Sequence, residues 1–219
     1  MRIVLLGPPG AGKGSLALLC HTRLRLVHLS TGQIFREEMA RGSALGRRVK
    51  RYVTKGQLVP DALVVQVMAA RLAGRVAAKG FVLDGFPRTQ AQAEGLDRVL
   101  TQRRRSLDGA IYLTSPEPLL VRRLSGRRVC ATCGANYHLR TMRPRRPGRC
   151  DHCGGVLITR KDDQLATIRT RLVVDHKAAT PLLRYYRRQK LLYDVDGRGR
   201  IETVFVRVLK LFRRKGWIR

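Results

Sequence analysis

Short apolar runs alternate along the chain with longer stretches whose apolar positions recur at helical spacing. Arg2 to Leu6 reads as a buried strand, short and rich in leucine and β-branched residues. It runs into a turn cluster, Gly7-Pro8-Pro9-Gly10, and a helix is predicted from about Lys13. Further strands are predicted at Val27 to Leu29, at Phe81 to Leu83 with Asp84 at its end, at Ala110 to Leu113 and at Ile201 to Val206. Between them, Leu63, Val64, Val67, Met68 and Leu72 follow Pro60-Asp61 at helical spacing. Thr114-x-x-Glu117 matches a capping box and predicts another helix start. A long basic helix is predicted from near Gln164, bent or broken at Pro181. Strand-helix alternation of this kind predicts an α/β fold, a parallel five-stranded sheet with helices on both faces.

Two segments depart from the alternation. Residues 30–59 are polar, helical in pattern and punctuated by glycine, and residues 127–163 hold four paired cysteines. Each reads as an insertion on a core made of residues 1–29, 60–126 and 164–219. A chain of 219 residues can bury such a core without disulfide staples.

Charge changes the picture. Lys and Arg number 45 against 15 Asp and Glu, a formal net charge of +30. Such a charge attracts polyanions without regard to sequence. It is spread over most of the chain, as a solvated surface would be, and a nucleic-acid partner is the sharper alternative. Aromatic residues are few, so a stacking platform for single strands is not evident. No apolar run reaches membrane-spanning length, and Ile3 to Leu6 is too short for the core of a signal peptide. The expectation is a cytoplasmic protein with no membrane partner.

Gly7-Pro8-Pro9-Gly10-Ala11-Gly12-Lys13-Gly14-Ser15 lies between a predicted strand and helix, the context of a phosphate-binding loop. Its glycines let backbone N–H groups curl around phosphate oxygens, and the helix N-terminus adds positive potential. Lys13 is placed to reach the β- and γ-phosphates, and Gly14 displaces the usual hydroxyl to Ser15. Asp84, at a strand end beside that loop, suits water-mediated Mg2+ binding, or a simple turn-capping role. Cys130-x-x-Cys133 and Cys150-x-x-Cys153 are separated by sixteen residues, and Gly134 and Gly154 follow the pairs. Four thiolates close a tetrahedral shell, so a structural Zn2+, one per chain, is expected; iron takes the same ligands. Cys20, in an apolar helical run, reads as a packed core thiol.

The loop variant with two prolines and Gly-Lys-Gly-Ser resembles the nucleoside monophosphate kinases, and adenylate kinases in particular. Leu29-Ser30-Thr31-Gly32 with Arg36 resembles that family's AMP segment. Asp84-Gly85-Phe86-Pro87-Arg88-Thr89 with Gln92 resembles its signature. Arg123 with Gly126-Arg127-Arg128-Val129 resembles the entry to a lid, and Arg160-Lys161-Asp162-Asp163 with Arg171 its exit. The motifs stand in family order from residue 1 to about 190, and the cysteines match the long-lid, zinc-carrying type.

The resemblance implies phosphoryl transfer between ATP and AMP with Mg2+, giving two ADP, by a monomer serving adenine nucleotide homeostasis and salvage. It implies a P-loop fold, an AMP-binding insertion at 30–59 and a zinc-ribbon lid at 127–163. It assigns ATP to Gly10, Ala11, Gly12, Lys13, Gly14, Ser15, Arg123, Arg127, Asn136, Tyr137 and Gly199. It assigns AMP to Thr31, Arg36, Gln57, Leu58, Val59, Gly85, Phe86, Pro87, Arg88 and Gln92, with Arg160 and Arg171. It assigns Arg36 and Arg88 to the AMP phosphate and Arg123, Arg160 and Arg171 to the transferring group and its neighbours, counts Lys13 and Arg88 with these three as catalytic, and sets Asp84, Asp162 and Asp163 toward the metal; a salt bridge to a neighbouring arginine is the other reading of the last two. Arg123 and Arg127 are four apart and share a face if one helix runs through both. A glutamine amide at Gln92, with Thr31, suits the edge of adenine. Gln33 stands where the family usually has Asp, and Leu16 where it often has Gln. The alternatives are a kinase for another monophosphate such as UMP or CMP, against which Thr31 and Gln92 argue, and a nucleic-acid-binding zinc-ribbon protein on the same scaffold.

Overall fold

The computed structural model describes residues 1–73 and 79–218. Five strands, β1 (Arg2–Leu6), β2 (Val27–Ser30), β3 (Phe81–Asp84), β4 (Gly109–Thr114) and a later strand at Leu192–Asp196, form one parallel sheet in which β2, β3, β1, β4 and that strand lie side by side. Along β1, Ile3 and Leu5 face one side and Val4 and Leu6 the other, and each side is buried. That is why the strand reads as an unbroken apolar run. The face of Ile3 and Leu5 is covered by α1 (Lys13–Leu24) and by a C-terminal helix, Ile201–Arg214. The opposite core draws on α4 (Asp61–Arg71) and α5 (Gln90–Thr101).

Two helices, α2 (Thr31–Ala40) and α3 (Ala44–Thr54), form a hairpin between β2 and α4. Ser30 caps the first by accepting from Gln33 N, and Ser43 caps the second by accepting from Gly46 N at 3.0 Å. The helices approach so closely that a Cβ on Gly46 would lie 2.1 Å from the Glu38 carbonyl oxygen. After α6 (Glu117–Ser125) comes a small antiparallel sheet in which β5 (Arg127–Cys130) lies between β6 (Asn136–His138) and β7 (Leu157–Ile158). A 3-10 turn at Lys161–Asp163 leads into α7 (Leu165–Arg188), followed by β8 (Leu192–Asp196) and α8 (Ile201–Arg214).

Two local expectations are corrected and a third is narrowed. Ile201 to Val206 is not the fifth strand but the first half of α8. Val204, Phe205, Val208, Leu211 and Phe212 are all buried, a helical stripe that continues well past the six-residue window. The fifth strand is β8, an edge strand bonded only to β4, and its Asp194 and Asp196 are the charges an edge can carry. Thr114 makes no capping box. It ends β4 opposite Asp196, and Pro116 occupies the cap position of α6 without a side-chain bond. Pro181 lies inside α7 without ending it; it is exposed, so water can serve the backbone group it leaves unpaired. Among the described residues no helix is long and apolar enough to cross a membrane.

The helical stripe makes a prediction. Val206 is 49% exposed and Phe212 is fully buried against Trp217. Val206→Glu should change unfolding free energy by less than about 0.5 kcal/mol. Phe212→Ala should cost about 3–5 kcal/mol in the same denaturant titration. Equal costs at the two positions would contradict the helix.

Candidate active site

The register places Leu5, Asp84 and Ser30 side by side, so the loop after β1, the end of β3 and the start of α2 meet at one edge of the sheet. The loop's glycines are there for geometry. Gly7, Gly10 and Gly12 have φ of 133°, 85° and 100°. A Cβ on Gly7 would lie 2.6 Å from the Leu113 carbonyl oxygen. Gly12 caps α1 with no side-chain bond, which leaves the first amides of the helix to a ligand. Lys13 folds back over the loop and donates to the carbonyls of Gly7 and Pro8. Burial lowers its pKa to about 8, against the pull of Asp175 and Asp84.

The loop opens on a cleft of about 1530 Å³. Gly10 to Ser15, Arg36, Asp84, Gly85 and Arg88 form one part of its wall. Arg123, Arg127, Arg160, Asp162, Arg171 and Gly199 form another. All seven predicted cations therefore meet in one cleft. Burial lowers the pKa of Arg36, Arg123 and Arg171, and that of Arg160 to about 9, with Arg127 and Arg36 next to it adding to the fall. These guanidiniums are short of both water and countercharge.

Two carboxylates supply part of that countercharge. Asp163 has a fully buried side chain that accepts from Arg127 Nε at 2.7 Å and from Arg171 at 3.1 Å. Asp162 pairs with Arg171 at 2.9 Å. Arg160 donates to Asn136 Oδ1 at 2.9 Å, yet its Nε is buried with no partner among the described residues. An orphaned buried donor in a cleft marks a place for an acceptor. Arg123 holds the carbonyls of Ala11, Gly197 and Gly199 at 3.0–3.3 Å. Arg123 and Arg127 do not share a helix face: α6 ends at Ser125, and Arg127 opens β5. The break falls at Gly126, where a Cβ would lie 2.4 Å from His138 Nε2.

Asp84 is half-buried. Burial pushes its pKa up, but His28, Lys13 and Arg88 outweigh that and hold the carboxyl below the usual range. His28 Nε2 lies 3.9 Å from Asp84 Oδ2, too far for a hydrogen bond, and has no other partner among the described residues.

The residues expected to read the acceptor base lie behind the wall. Thr31 Oγ1 donates to Gly85 O at 2.8 Å. Gln92 donates to Asp61 Oδ1 and accepts from Arg88 N, both at 2.8 Å, so its amide braces Arg88. Phe86 and Val59 are buried, Pro87 lines a small pocket behind Lys13, Leu58 is half-buried and Gln57 is exposed. Tyr137 turns its hydroxyl to Asp151 N and the Cys150 sulfur, which gives its side chain to the small sheet. Sequence reasoning missed Asp61, His28 and Asp175. Only Asp175 left a signal, four residues after Arg171 on one helix.

The four paired cysteines converge, with every sulfur within 4.8 Å of the others. Cys130 to Cys153 and Cys133 to Cys150 are each 3.5 Å. Four sulfurs at about 2.3 Å from one tetrahedral ion lie about 3.8 Å apart, so the cluster fits such an ion. Gly134 and Gly154, at φ of 73° and 71°, turn the two knuckles. Cys20 is fully buried elsewhere and its thiol is pushed up to about 12 by that burial, which leaves it unreactive.

Comparison with known proteins agrees with this geometry. A family model described as adenylate kinase matches residues 5–191. An adenylate kinase of Moorella thermoacetica is 47% identical over 208 residues, covering 95% of this chain and 96% of its own. One from Methanocella arvoryzae is 45% identical over 214 residues, covering 98% and 99%. One from Desulfitobacterium hafniense is 47% identical over 197 residues, covering 90% and 91%. With its phosphate loop, its signature segment and nearly its whole length matched, the chain belongs to the adenylate kinase family.

Proposed function

We propose that this chain transfers the terminal phosphoryl group of ATP to AMP and so forms two ADP. The observation that carries the reading is the convergence of Lys13 and six arginines on one cleft beside a loop of free amides. A phosphate monoester is largely ionised at neutral pH, since its second pKa is about 6. The acceptor therefore needs no strong base. It needs alignment, and cations around a group whose charge spreads over three oxygens.

The loop amides and Lys13 hold the donor phosphates. Arg36 and Arg88 hold the acceptor phosphate, with Arg88 kept in place by Gln92. Arg123, Arg160 and Arg171 surround the transferring group, and Arg127 takes the ATP side. The helical segment 30–59 serves as the AMP insertion and 127–163 as the lid. Closing the lid excludes water, which would otherwise compete as acceptor. As phosphate enters, Arg127 and Arg171 exchange Asp163 and Asp162 for phosphate oxygens. Asp84, ionised, half-buried and near His28, suits a hydrated Mg2+, which would supply charge neutralisation to the phosphates. Zn2+ in the four-cysteine site is structural, since four thiolates leave no open position.

Three outcomes test these roles. In a coupled assay with saturating ATP and AMP, Lys13→Met and Arg88→Ala should each lose roughly 10^3- to 10^5-fold in turnover while staying folded. Near-normal turnover in either would contradict the assignment, and equal turnover with UMP or CMP would contradict the choice of AMP. Elemental analysis should find one zinc per chain, and Cys150→Ser should lower the melting temperature while the sheet core still folds. Full stability in that variant would rule the ribbon out.

The charge supports a second property, non-specific polyanion binding. Arg47, Arg48, Lys50 and Arg51 are exposed on α3, a helix without a single acid, and Arg140 to Arg149 holds five more arginines. RNA added to the assay should inhibit at low salt and lose its effect at physiological salt, as counterion release requires. Inhibition that ignores salt would contradict the electrostatic account.

A further inference from the structure

A small pocket of about 20 Å³ lies behind the phosphate loop and shares Lys13, Gly85 and Arg88 with the wall of the main cleft. Its wall includes Lys13, Gly85, Arg88, Tyr112 and Asp175. Asp175 stands on α7 between two stretches of core. Ile168 and Leu172 pack on one face of the sheet, and Leu182 and Tyr186 on the other. The helix thus crosses the sheet's edge with Asp175 turned toward the back of the loop. Among the described residues, no hydrogen bond or ion pair joins the Asp175 carboxylate to another side chain or to the backbone. A pocket of this size has room for one water, and Lys13, Arg88 and the Asp175 carboxylate could serve as its partners.

We propose that Asp175 is a positioning residue for the transfer: across this pocket its carboxylate balances Lys13 and Arg88 from behind, and so keeps Lys13 a cation before nucleotide arrives. The phosphates meet Lys13 from the cleft side. The carboxylate on the buried side does the same electrostatic work in the empty enzyme without occupying the phosphate site.

The surrounding charges agree. Lys13 on α1 is deprived of water, and among the groups that favour its charged form Asp175 ranks ahead of Asp84 on β3. Arg88, after β3, and Arg171, on α7, oppose that charge. Asp175 is pushed up by burial and held down by Lys13, Arg88, Arg171 and His176. Tyr112 on β4 is raised by burial, then by Asp175 and by Asp194 on β8. His28 on β2 faces Asp84 rather than Asp175.

The sign of the effect follows. Removing the carboxylate lowers the Lys13 pKa, so Lys13 loses its proton at a lower pH and binds phosphate less well there. The readout is the alkaline limb of kcat/KM for ATP, which reports ionisation of the free enzyme. In the wild type this limb should fall near pH 8. In Asp175→Asn, which keeps the size of the side chain, the limb should move down by about one unit. The ratio of wild type to variant should then be about fivefold at pH 8 and close to one at pH 6. Substrate phosphate ionisation is common to both enzymes and cancels in that ratio. Asp175→Glu restores the charge and should return the limb toward the wild type.

An unmoved limb in Asp175→Asn overturns the inference. So does a loss equal at all pH values, which a merely structural role would produce. The inference rests on the kinase reading, and the two fail differently. A wild type that makes no ADP sinks that reading, whereas an active wild type with an unshifted Asp175→Asn limb sinks this one alone.

Discussion

Lys13, Arg36, Arg88, Arg123, Arg127, Arg160 and Arg171 share one cleft whose wall carries fewer carboxylates than cations. Burial lowers the pKa of Lys13, Arg36, Arg123, Arg160 and Arg171 alike. Desolvating like charges together costs free energy that only opposite charge can offset. Asp162 and Asp163 neutralise Arg127 and Arg171 in part, while the Arg160 Nε has no partner among the described residues. On the proposed reading the cleft is a receptor built in advance for polyphosphate, and nucleotide phosphates would complete it and draw the surrounding segments together.

The scaffold exists to hold that charge in place. A parallel sheet buried on both faces brings the ends of β1, β2 and β3 to one edge, where the free amides of α1 add to the field. The two arginine groups come from different elements. Arg36 and Arg88 belong to α2 and the segment after β3, whereas Arg123, Arg127, Arg160 and Arg171 come from the segments around the small sheet. Bringing them together depends on the stability of that sheet, whose buried core is little more than Tyr137 and two of the metal-spaced cysteines. Such a core is too small to hold a sheet firmly, and a four-thiolate ion would supply the missing constraint.

Much of this was legible in the sequence because the informative residues are close together along the chain. The phosphate loop, the paired cysteines and the signature at Asp84 to Gln92 are local patterns with a physical meaning of their own. What misled was also local. Ile201 to Val206 looks like a strand in six residues and like a helix in fourteen, and Thr114 matches a cap only if the strand that consumes it is ignored. Arg123 and Arg127 suggested one helix until Gly126 ended it. The partner of Gln92, Asp61, is thirty-one residues away, beyond the reach of any local pattern. Asp175 and His28 carry no motif, and only the folded chain brings them to the loop and to Asp84.

The central claim is that phosphate charge, rather than the nucleoside, completes this cleft. Thermal unfolding of the metal-loaded chain tests it most directly, with either adenosine or two adenosines joined through five phosphates as added ligand. At about 100-fold over its dissociation constant, the linked nucleotide should stabilise by about 2.7 kcal/mol and raise the midpoint by about 5–10 °C. Adenosine at the same concentration should leave the midpoint unchanged. A linked nucleotide that gives no shift, or adenosine that gives an equal one, would contradict the account.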